Sequence, residues 1–316
     1  MDTYPVKEER HSIPIIGQEA FLIAGSPAHS PNQRLRQLLT EPGIKIMPCC
    51  FDALSARLIE AAGFPCTFMS GFAVAATRLG LPDTGLISYG EMLEQGRTIC
   101  GAVRLPVLGD GDTGYGNAMN VKRTVHGYAT AGFAAIMLED QVWPKRCGHT
   151  RGKQVVSRPE AVSRIQAAVD ARAEGADILI LARTDARATH GLEEALARAR
   201  AFAAAGADML FVEAPGSEEE MRRICTEAPG IHLANMLENG VTPLLTPAHL
   251  QAIGYRLVAY PLTLLSSAVR AMQGALAALR RERHPAELML EFDELRQLVG
   301  FDAYDAEAAR YRVQED

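Results

Sequence analysis

The chain has 316 residues, 48% of them hydrophobic and 22% charged, with a formal net charge of −6, a balance that predicts a globular protein with a sizeable core. No basic field offers itself to nucleic acid or to a membrane surface, and no apolar run reaches the ~18–20 residues of a membrane-spanning helix. The six cysteines lack CxxC spacing, and Cys49, Cys50, Cys66 and Cys100 lie in or beside apolar segments, the pattern of reduced thiols in a cytoplasmic protein without a disulfide frame or zinc site.

Residues 1–32 show no clear periodicity and read as an irregular lead-in; acidic residues at Asp2, Glu8 and Glu9 fit neither a secretory signal nor an Arg-rich import leader, though import into an organelle stays open. Arg34–Leu39 predicts a short helix. From Ile44 a unit recurs: a helix ends in a small residue and Gly, and an apolar run follows at once. It reads AAGFPCTFMSG, AGFAAIMLED, EGADILILARTD, AGADMLFVEA and IGYRLVAYPL. Gly closes each helix in the left-handed conformation, and the short run after it suits a strand buried on both faces.

With Lys45–Phe51, Pro106–Asp110 and Ile231–Asn235 this makes eight strands, separated by helical patterns such as Arg158–Ala173 and Leu192–Ala205. Alternation over roughly 220 residues predicts a (β/α)8 barrel of the TIM type occupying residues 33–282. A doubly wound open sheet fits less well, because no GxGxxG loop follows the first strand. Leu264–Leu279 and Pro285–Val299 predict amphipathic helices beyond the barrel's needs, and residues 283–316 form a C-terminal extension with an acidic, Ala/Tyr-rich tail.

Chemistry in such a barrel gathers at the carboxyl ends of the strands. Those ends read Asp52, Ser70-Gly71, Asp110 with Asp112, Glu139 with Asp140, Arg183 with Asp185, Glu213, and Asn235 with Glu238. Helix capping accounts equally well for Asp52 or Asp185 taken alone, but not for seven polar strand ends at one mouth. Asp110, Asp112 and Glu139 form an all-oxygen cluster suited to Mg2+ or Mn2+. Arg183, Ser70, the Gly71 amide and the Gly148-His149 turn offer donors for a carboxylate or a developing oxyanion. Cys147 lies between Lys145-Arg146 and Gly148-His149, neighbours that favour a thiolate. An incidental Cys in a solvated loop is the commoner case for such a segment in isolation. His126 and His190 read as ordinary helix or loop histidines, and Trp143 either anchors its loop or walls a substrate pocket.

LPDTGLIS, LGDGDTGYGN, LEDQ, PKRCGHTRGK, ARTDA, FVEAP and NMLENG resemble the isocitrate lyase/phosphoenolpyruvate mutase superfamily, a resemblance that covers the chain from about Gln33 to Met272. The resemblance implies that Asp110 holds Mg2+, with Asp83, Asp112 and Glu139 binding it directly or through water. It implies that Ser70, Gly71, Gly148 and His149 bind a substrate carboxylate, and that Arg183, Glu213 and Asn235 contact the substrate's hydroxyl or oxo oxygen and second carboxylate. Cys147 would be an acid/base on a mobile loop. The superfamily's barrels are typically tetramers whose last helix is exchanged between paired subunits.

By the same resemblance, members acting on phosphorus–carbon bonds lack this Cys and members acting on carbon–carbon bonds carry it. VVSRPEAV, NMLENGVTP and LVAYPLTLLSSAVRAMQ are most like the branch containing petal death protein, 2,3-dimethylmalate lyase and oxaloacetate hydrolase. The expected activity is therefore Mg2+-dependent cleavage of a small 2-hydroxy or 2-oxo dicarboxylate. Methylisocitrate lyase and a phosphonopyruvate-acting mutase or hydrolase are the alternatives. Methylisocitrate lyases carry a hydroxyl residue where this chain has Leu237. The base that takes the C2 hydroxyl proton is left open among Glu213, Asp112 and a metal-bound hydroxide.

Overall fold

Eight short parallel strands close on themselves in sequence order, β1 (Lys45–Cys50), β2 (Thr67–Met69), β3 (Val107–Asp110), β4 (Ala135–Glu139), β5 (Leu179–Thr184), β6 (Met209–Val212), β7 (Ile231–Asn235) and β8 (Leu257–Tyr260), with β8 pairing back to β1. The computed structural model describes residues 30–148 and 152–313. The expected (β/α)8 barrel is the fold.

The strand pattern explains the burial. Every residue of β3, β4, β5 and β6 is buried, because one face meets the barrel interior and the other meets the helices. Met47, Leu108, Met137, Leu181, Phe211 and Leu257 pack together inside the barrel. Ile136, Leu138, Ile180, Ala182, Leu210 and Val212 alternate with them and pack outward among helix residues such as Val125, Ile165 and Phe202. Each large apolar side chain so buried stabilises the fold by about 1.5–3 kcal/mol relative to exposure. A one-residue slip in any strand would exchange the two sets.

The recurring Gly also behaves as expected: Gly63, Gly132, Gly175, Gly206 and Gly254 all have positive φ, between 79° and 126°. Helix Pro31–Thr40 begins inside the segment expected to be irregular, and its Leu35 and Leu39 join the interior cluster from the amino-terminal end of the barrel.

The C-terminal part differs in detail from expectation. Helix Thr263–Leu279 has no buried residue, and Met272, Leu276 and Leu279 are more than half exposed. The stretch expected as one helix, Pro285–Val299, divides into a 3-10 turn at Ala286–Leu288 and a helix at Phe292–Val299. That helix starts late because Glu291 and Glu294 form its capping box. A further helix, Phe301–Ala309, follows Gly300 at a φ of 90° in the tail. Among the described residues no helix is long and apolar enough to cross a membrane.

Candidate active site

The alternation that fills the barrel continues past its apolar layers. Asp110 follows Leu108, Glu139 follows Met137, Arg183 follows Leu181, Glu213 follows Phe211 and Asn235 follows Leu233, each two residues on and so on the inward face. The top layer of the interior is therefore polar. Glu139 and Arg183 are register partners across β4 and β5. Both are buried, as are Asp110, Asp112, Asp83, Glu213 and Ser70.

Arg183 is ringed by carboxylates. Its Nε lies 2.9 Å from Asp185 Oδ2 and 3.3 Å from Glu139 Oε2, and its Nη2 lies 3.2 Å from Glu213 Oε2. The Phe211 ring centroid is 5.3 Å below the guanidinium. Burial pulls the Arg183 pKa down, but Asp185, Glu139 and Glu213 more than offset it and hold the cation above its ordinary value. Burial drives Glu139 the opposite way, well above the carboxylate range, against the pull of Arg183.

The acidic cluster is reached by a turn, not by strand alternation. β3 ends at Asp110, and Asp112 sits at a φ of 47°, unusual for a residue with a side chain. Its N–H donates to Asp110 Oδ1 at 3.0 Å, the Gly71 amide donates to Asp110 Oδ2 at 3.2 Å, and Tyr128 Oη donates to the Asp110 carbonyl at 2.7 Å. The Gly71 amide expected to face a substrate thus already serves Asp110. A Cβ at Gly71 would stand 2.4 Å from Asp110 Oδ2, so any side chain there would displace the Asp110 carboxylate. Ser70 caps the helix that Gly71 begins, accepting from the Ala73 amide at 3.3 Å while lining the cavity.

Lys145 enters this cluster. Its Nζ lies 2.6 Å from Asp83 Oδ1 and 2.7 Å from Asp112 Oδ1, as ion pairs without the alignment of directed hydrogen bonds. Sequence reading assigned Lys145 to the neighbourhood of the Cys147 thiol; its ammonium instead stands between two carboxylates. Burial lowers the Lys145 pKa, yet Asp112, Asp110, Asp83 and Glu139 raise it further, to well above the ordinary value. Burial pushes Asp112 up to about 6, with Lys145 opposing.

Lys145, Arg146, Cys147 and Gly148 all line the same cavity. Gln141 braces this segment from both directions, donating to the Arg146 carbonyl at 2.8 Å and accepting from the Arg146 amide at 2.9 Å. Cys147 is half-buried and lines the cavity. Gly148 touches the Arg183–Glu213 pair: a Cβ there would meet Glu213 Oε2 at 2.4 Å and Arg183 Nη2 at 2.5 Å. His149 lies outside the described residues. The cavity encloses about 660 Å³, part of it open solvent, and partly exposed Phe72, Leu237, Pro261 and Leu262 give it an apolar side.

Other strand-end residues divide into site and scaffold. Asp52 is a helix cap, accepting from Ser55 N at 2.7 Å. Asp140, with parity opposite to Glu139, accepts from Thr184 Oγ1 at 2.6 Å, from the Asp185 amide at 2.9 Å and from Arg198 Nη1 at 3.0 Å. Asp185 makes no side-chain cap and instead orients Arg183. Trp143 packs against Tyr115, their ring centroids 6.0 Å apart, and against Gly85, so it anchors its segment. Lys153 and Arg198 are buried cations that nothing in the sequence singles out, whereas Asp185 stands at a strand end and Lys145 beside the thiol.

Residues 35–280 match the model of the phosphoenolpyruvate phosphomutase family. The chain belongs to this family, part of the isocitrate lyase/PEP mutase superfamily. The 2,3-dimethylmalate lyase of Eubacterium barkeri is 44% identical over 272 residues, covering 85% of this chain and 94% of that protein. The structure of oxaloacetate acetylhydrolase with 3,3-difluorooxalacetate superposes with a TM-score of 0.85 at 33% identity, covering 90% of this chain and 99% of the other. Phosphonopyruvate hydrolase in complex with oxalate and Mg2+ superposes at 0.79 with 30% identity and the same coverage. As a superfamily member the chain is an enzyme, and its relatives are lyases, hydrolases and mutases of small oxyacids.

Proposed function

We propose that this enzyme cleaves a carbon–carbon bond in a small 2-hydroxy or 2-oxo dicarboxylate, a 2-alkylmalate or oxaloacetate. The observation that carries the reading is the seating of Gly148 against the Arg183–Glu213 pair, with Cys147 beside it, so that a thiol and an oxyanion-binding cation line one cavity. Leu237, Leu262 and Phe72 favour an alkyl substituent over a third carboxylate in the same cavity.

The buried carboxylates fit a divalent metal in kind. Asp112 Oδ2 and Glu139 Oε1 are buried oxygens without a hydrogen-bond partner, and all candidate donors are oxygens. Among the described residues no three such side chains already converge as a cage. An all-oxygen donor set is the kind that Mg2+ or Mn2+ takes, with one or two carboxylates, waters and substrate oxygens completing the shell. Asp110, Asp83, Asp112 and Glu139 are the residues that would hold it. Bound there, the ion would supply Lewis-acid polarisation of the substrate's C2 oxygen and C1 carboxylate.

The chain's own groups then divide the work. Arg183, fixed by Asp185, binds the C2 oxygen and stabilises the charge that develops on it. Glu213, 3.2 Å from Arg183, is placed to take the C2 hydroxyl proton. The C2–C3 bonding pair leaves with C3 as an enolised carboxylate, and C2 becomes a carbonyl. The Cys147 S–H gives its proton to C3. An alkylmalate yields a 2-oxoacid and a carboxylic acid; oxaloacetate hydrate yields oxalate and acetate. Ser70 and the Gly148 backbone serve the substrate's carboxylates, and Asn235, whose Nδ2 is 3.5 Å from Glu213 Oε1, bounds the second one.

The test is proton NMR of product formation with Mg2+, offering 2,3-dimethylmalate, citramalate, 2-methylisocitrate, oxaloacetate and phosphonopyruvate separately. Cleavage of one of the first two or of oxaloacetate supports the reading. Turnover of 2-methylisocitrate alone assigns the tricarboxylate branch, and turnover of phosphonopyruvate alone replaces the proposal with phosphorus–carbon chemistry.

The unburied helix Thr263–Leu279 and the exposed Phe292, Leu295 and Phe301 beyond it support a second proposal, a homotetramer built from dimers that exchange this helix.

A further inference from the structure

Lys153 is 8% exposed, and its ammonium has two partners on different elements. It donates to the carbonyl oxygen of Gly148 and, at 2.8 Å, to Asp185 Oδ1. Asp185 in turn accepts from Arg183 Nε at 2.9 Å and Nη2 at 3.1 Å, while its amide is held by Asp140. One ammonium therefore joins the carbonyl of the residue after Cys147 to the carboxylate that orients Arg183.

The root of Lys153 is fixed. Val155 pairs antiparallel with Gln141, the Val142 amide donates to the Gln154 carbonyl at 2.9 Å, and the Val156 amide donates to the Asp140 carbonyl at 2.9 Å. This ladder ends β4 and carries Lys153 back beneath the Cys147 segment. Gln141 holds Arg146 on one side of Cys147, and Lys153 holds Gly148 on the other. A buried, twice-bonded lysine next to an arginine needs this geometry to be kept, because like charges repel when either loses its carboxylate.

We propose that Lys153 is a positioning residue: it sets the Cys147 segment against Arg183, so that the groups serving the two ends of the breaking bond share one anchor. The kinetic part of this inference rests on the carbon–carbon lyase reading; the geometric part does not. A residue that only neutralised Asp185 would be replaceable by any buried cation. A residue that positions Gly148 would not, because the guanidinium of arginine is longer and planar and cannot keep both contacts.

The experiment uses full-length Lys153→Met and Lys153→Arg with two readouts. The first is kcat and KM on the diacid turned over by the wild type. The second is the rate at which iodoacetamide alkylates Cys147, followed by mass of the peptide bearing it. Positioning predicts that Lys153→Met loses kcat by about tenfold or more with KM changed far less, and that the alkylation rate shifts by about threefold or more. Lys153→Arg shows the same signs at smaller size. Native kcat and native alkylation in folded Lys153→Met overturn the proposal. So does full restoration of both by Lys153→Arg, which assigns simple charge balance. Should Lys153→Met not fold, Lys153→Arg decides alone on the same two readouts. Should the wild type cleave no diacid, the lyase reading fails by itself and the alkylation rates still judge the positioning.

Discussion

Gly148 and Glu213 are in such close contact that a methyl group at position 148 would stand 2.4 Å from Glu213 Oε2. Gly148→Ala must therefore displace the Cys147 segment or push Glu213 and Arg183 apart. Misplacement of reacting groups on this scale costs about 10²-fold in rate. The expected result is a fall in kcat/KM of that order, with a melting temperature within a few degrees of wild type, because the added methyl perturbs the cavity wall and not the apolar layers below it. Steady-state kinetics and thermal melts of the same preparation check it; a large drop in melting temperature would show that the segment supports the barrel itself.

Lys145 is the one cation seen between Asp83 and Asp112 among the described residues, at 2.6 and 2.7 Å. Removing it leaves buried carboxylates without compensation, which is strongly destabilising in general, by about 3–5 kcal/mol. Lys145→Met should melt lower than wild type. Added Mg2+ should then raise its melting temperature more than it raises that of the wild type, because the ion takes over the neutralisation. Equal increments in the two proteins would show that ammonium and metal do not share these carboxylates.

The sequence made the barrel readable because its signal is periodic and repeated. Gly63, Gly132, Gly175, Gly206 and Gly254 mark helix ends, and period-two alternation carries Leu181 to Arg183 and Phe211 to Glu213. Local pattern cannot show which long-range partner a lysine finds. Lys145 and Lys153 read as the basic content of a loop, and both are buried against carboxylates 30 or more positions away in sequence, at Asp83, Asp112 and Asp185. Asp112 follows Asp110 by two positions, the spacing of strand alternation, yet a left-handed turn beyond the strand brings it to the cluster. The tail helix Phe301–Ala309 was missed because a short Ala-rich acidic run carries little periodicity.

Glu194 gives a pH signature to stability. It accepts from Arg158 and, at 2.8 Å, from Arg198 Nε, and these bonds, the one to Arg158 first, push its carboxyl from 4.5 down to about 2. The folded pKa is depressed, so the stabilisation is fully present above the unfolded value and is lost as pH falls through the folded one. Glu194→Gln should be less stable than wild type by a constant margin at neutral pH. That margin should shrink as pH falls below about 4.5 toward about 2. Urea unfolding across that range measures both curves, and a margin independent of pH would remove Glu194 from the account.

The helix Thr263–Leu279 presents Met272 and Leu276, 55% and 62% exposed, with nothing from its own barrel covering them. If a second copy covers that face, Met272→Glu with Leu276→Glu should shift the mass measured by light scattering from about four chains toward one. The barrel lies on other elements and should keep most of its far-ultraviolet circular dichroism. A wild type already of single-chain mass sinks the assembly proposal.

Cys147→Ala tests the proton donor of the carbon–carbon cleavage. A retro-aldol cleavage leaves electron density on C3 that must be quenched by a proton, and a positioned acid contributes about 10²–10⁴-fold to such a step. Cleavage of a phosphorus–carbon bond also leaves its electron pair on carbon, as an enolate, so the substrate and not the carbanion distinguishes the two chemistries, and the effect of losing the thiol is scored on a dicarboxylate. On a dicarboxylate the variant should therefore lose kcat by about that factor while KM moves far less, since the thiol acts in the transition state and not in binding. With 2,3-dimethylmalate in D2O, where C3 becomes a CHD stereocentre, the wild type should place one deuterium at that carbon on a single face. The residual product of the variant should carry it on both, because solvent then reaches the enolate without direction. Full turnover by Cys147→Ala, with deuterium still on one face, would take the proton donor's role away from Cys147 and give it to another group lining the cavity.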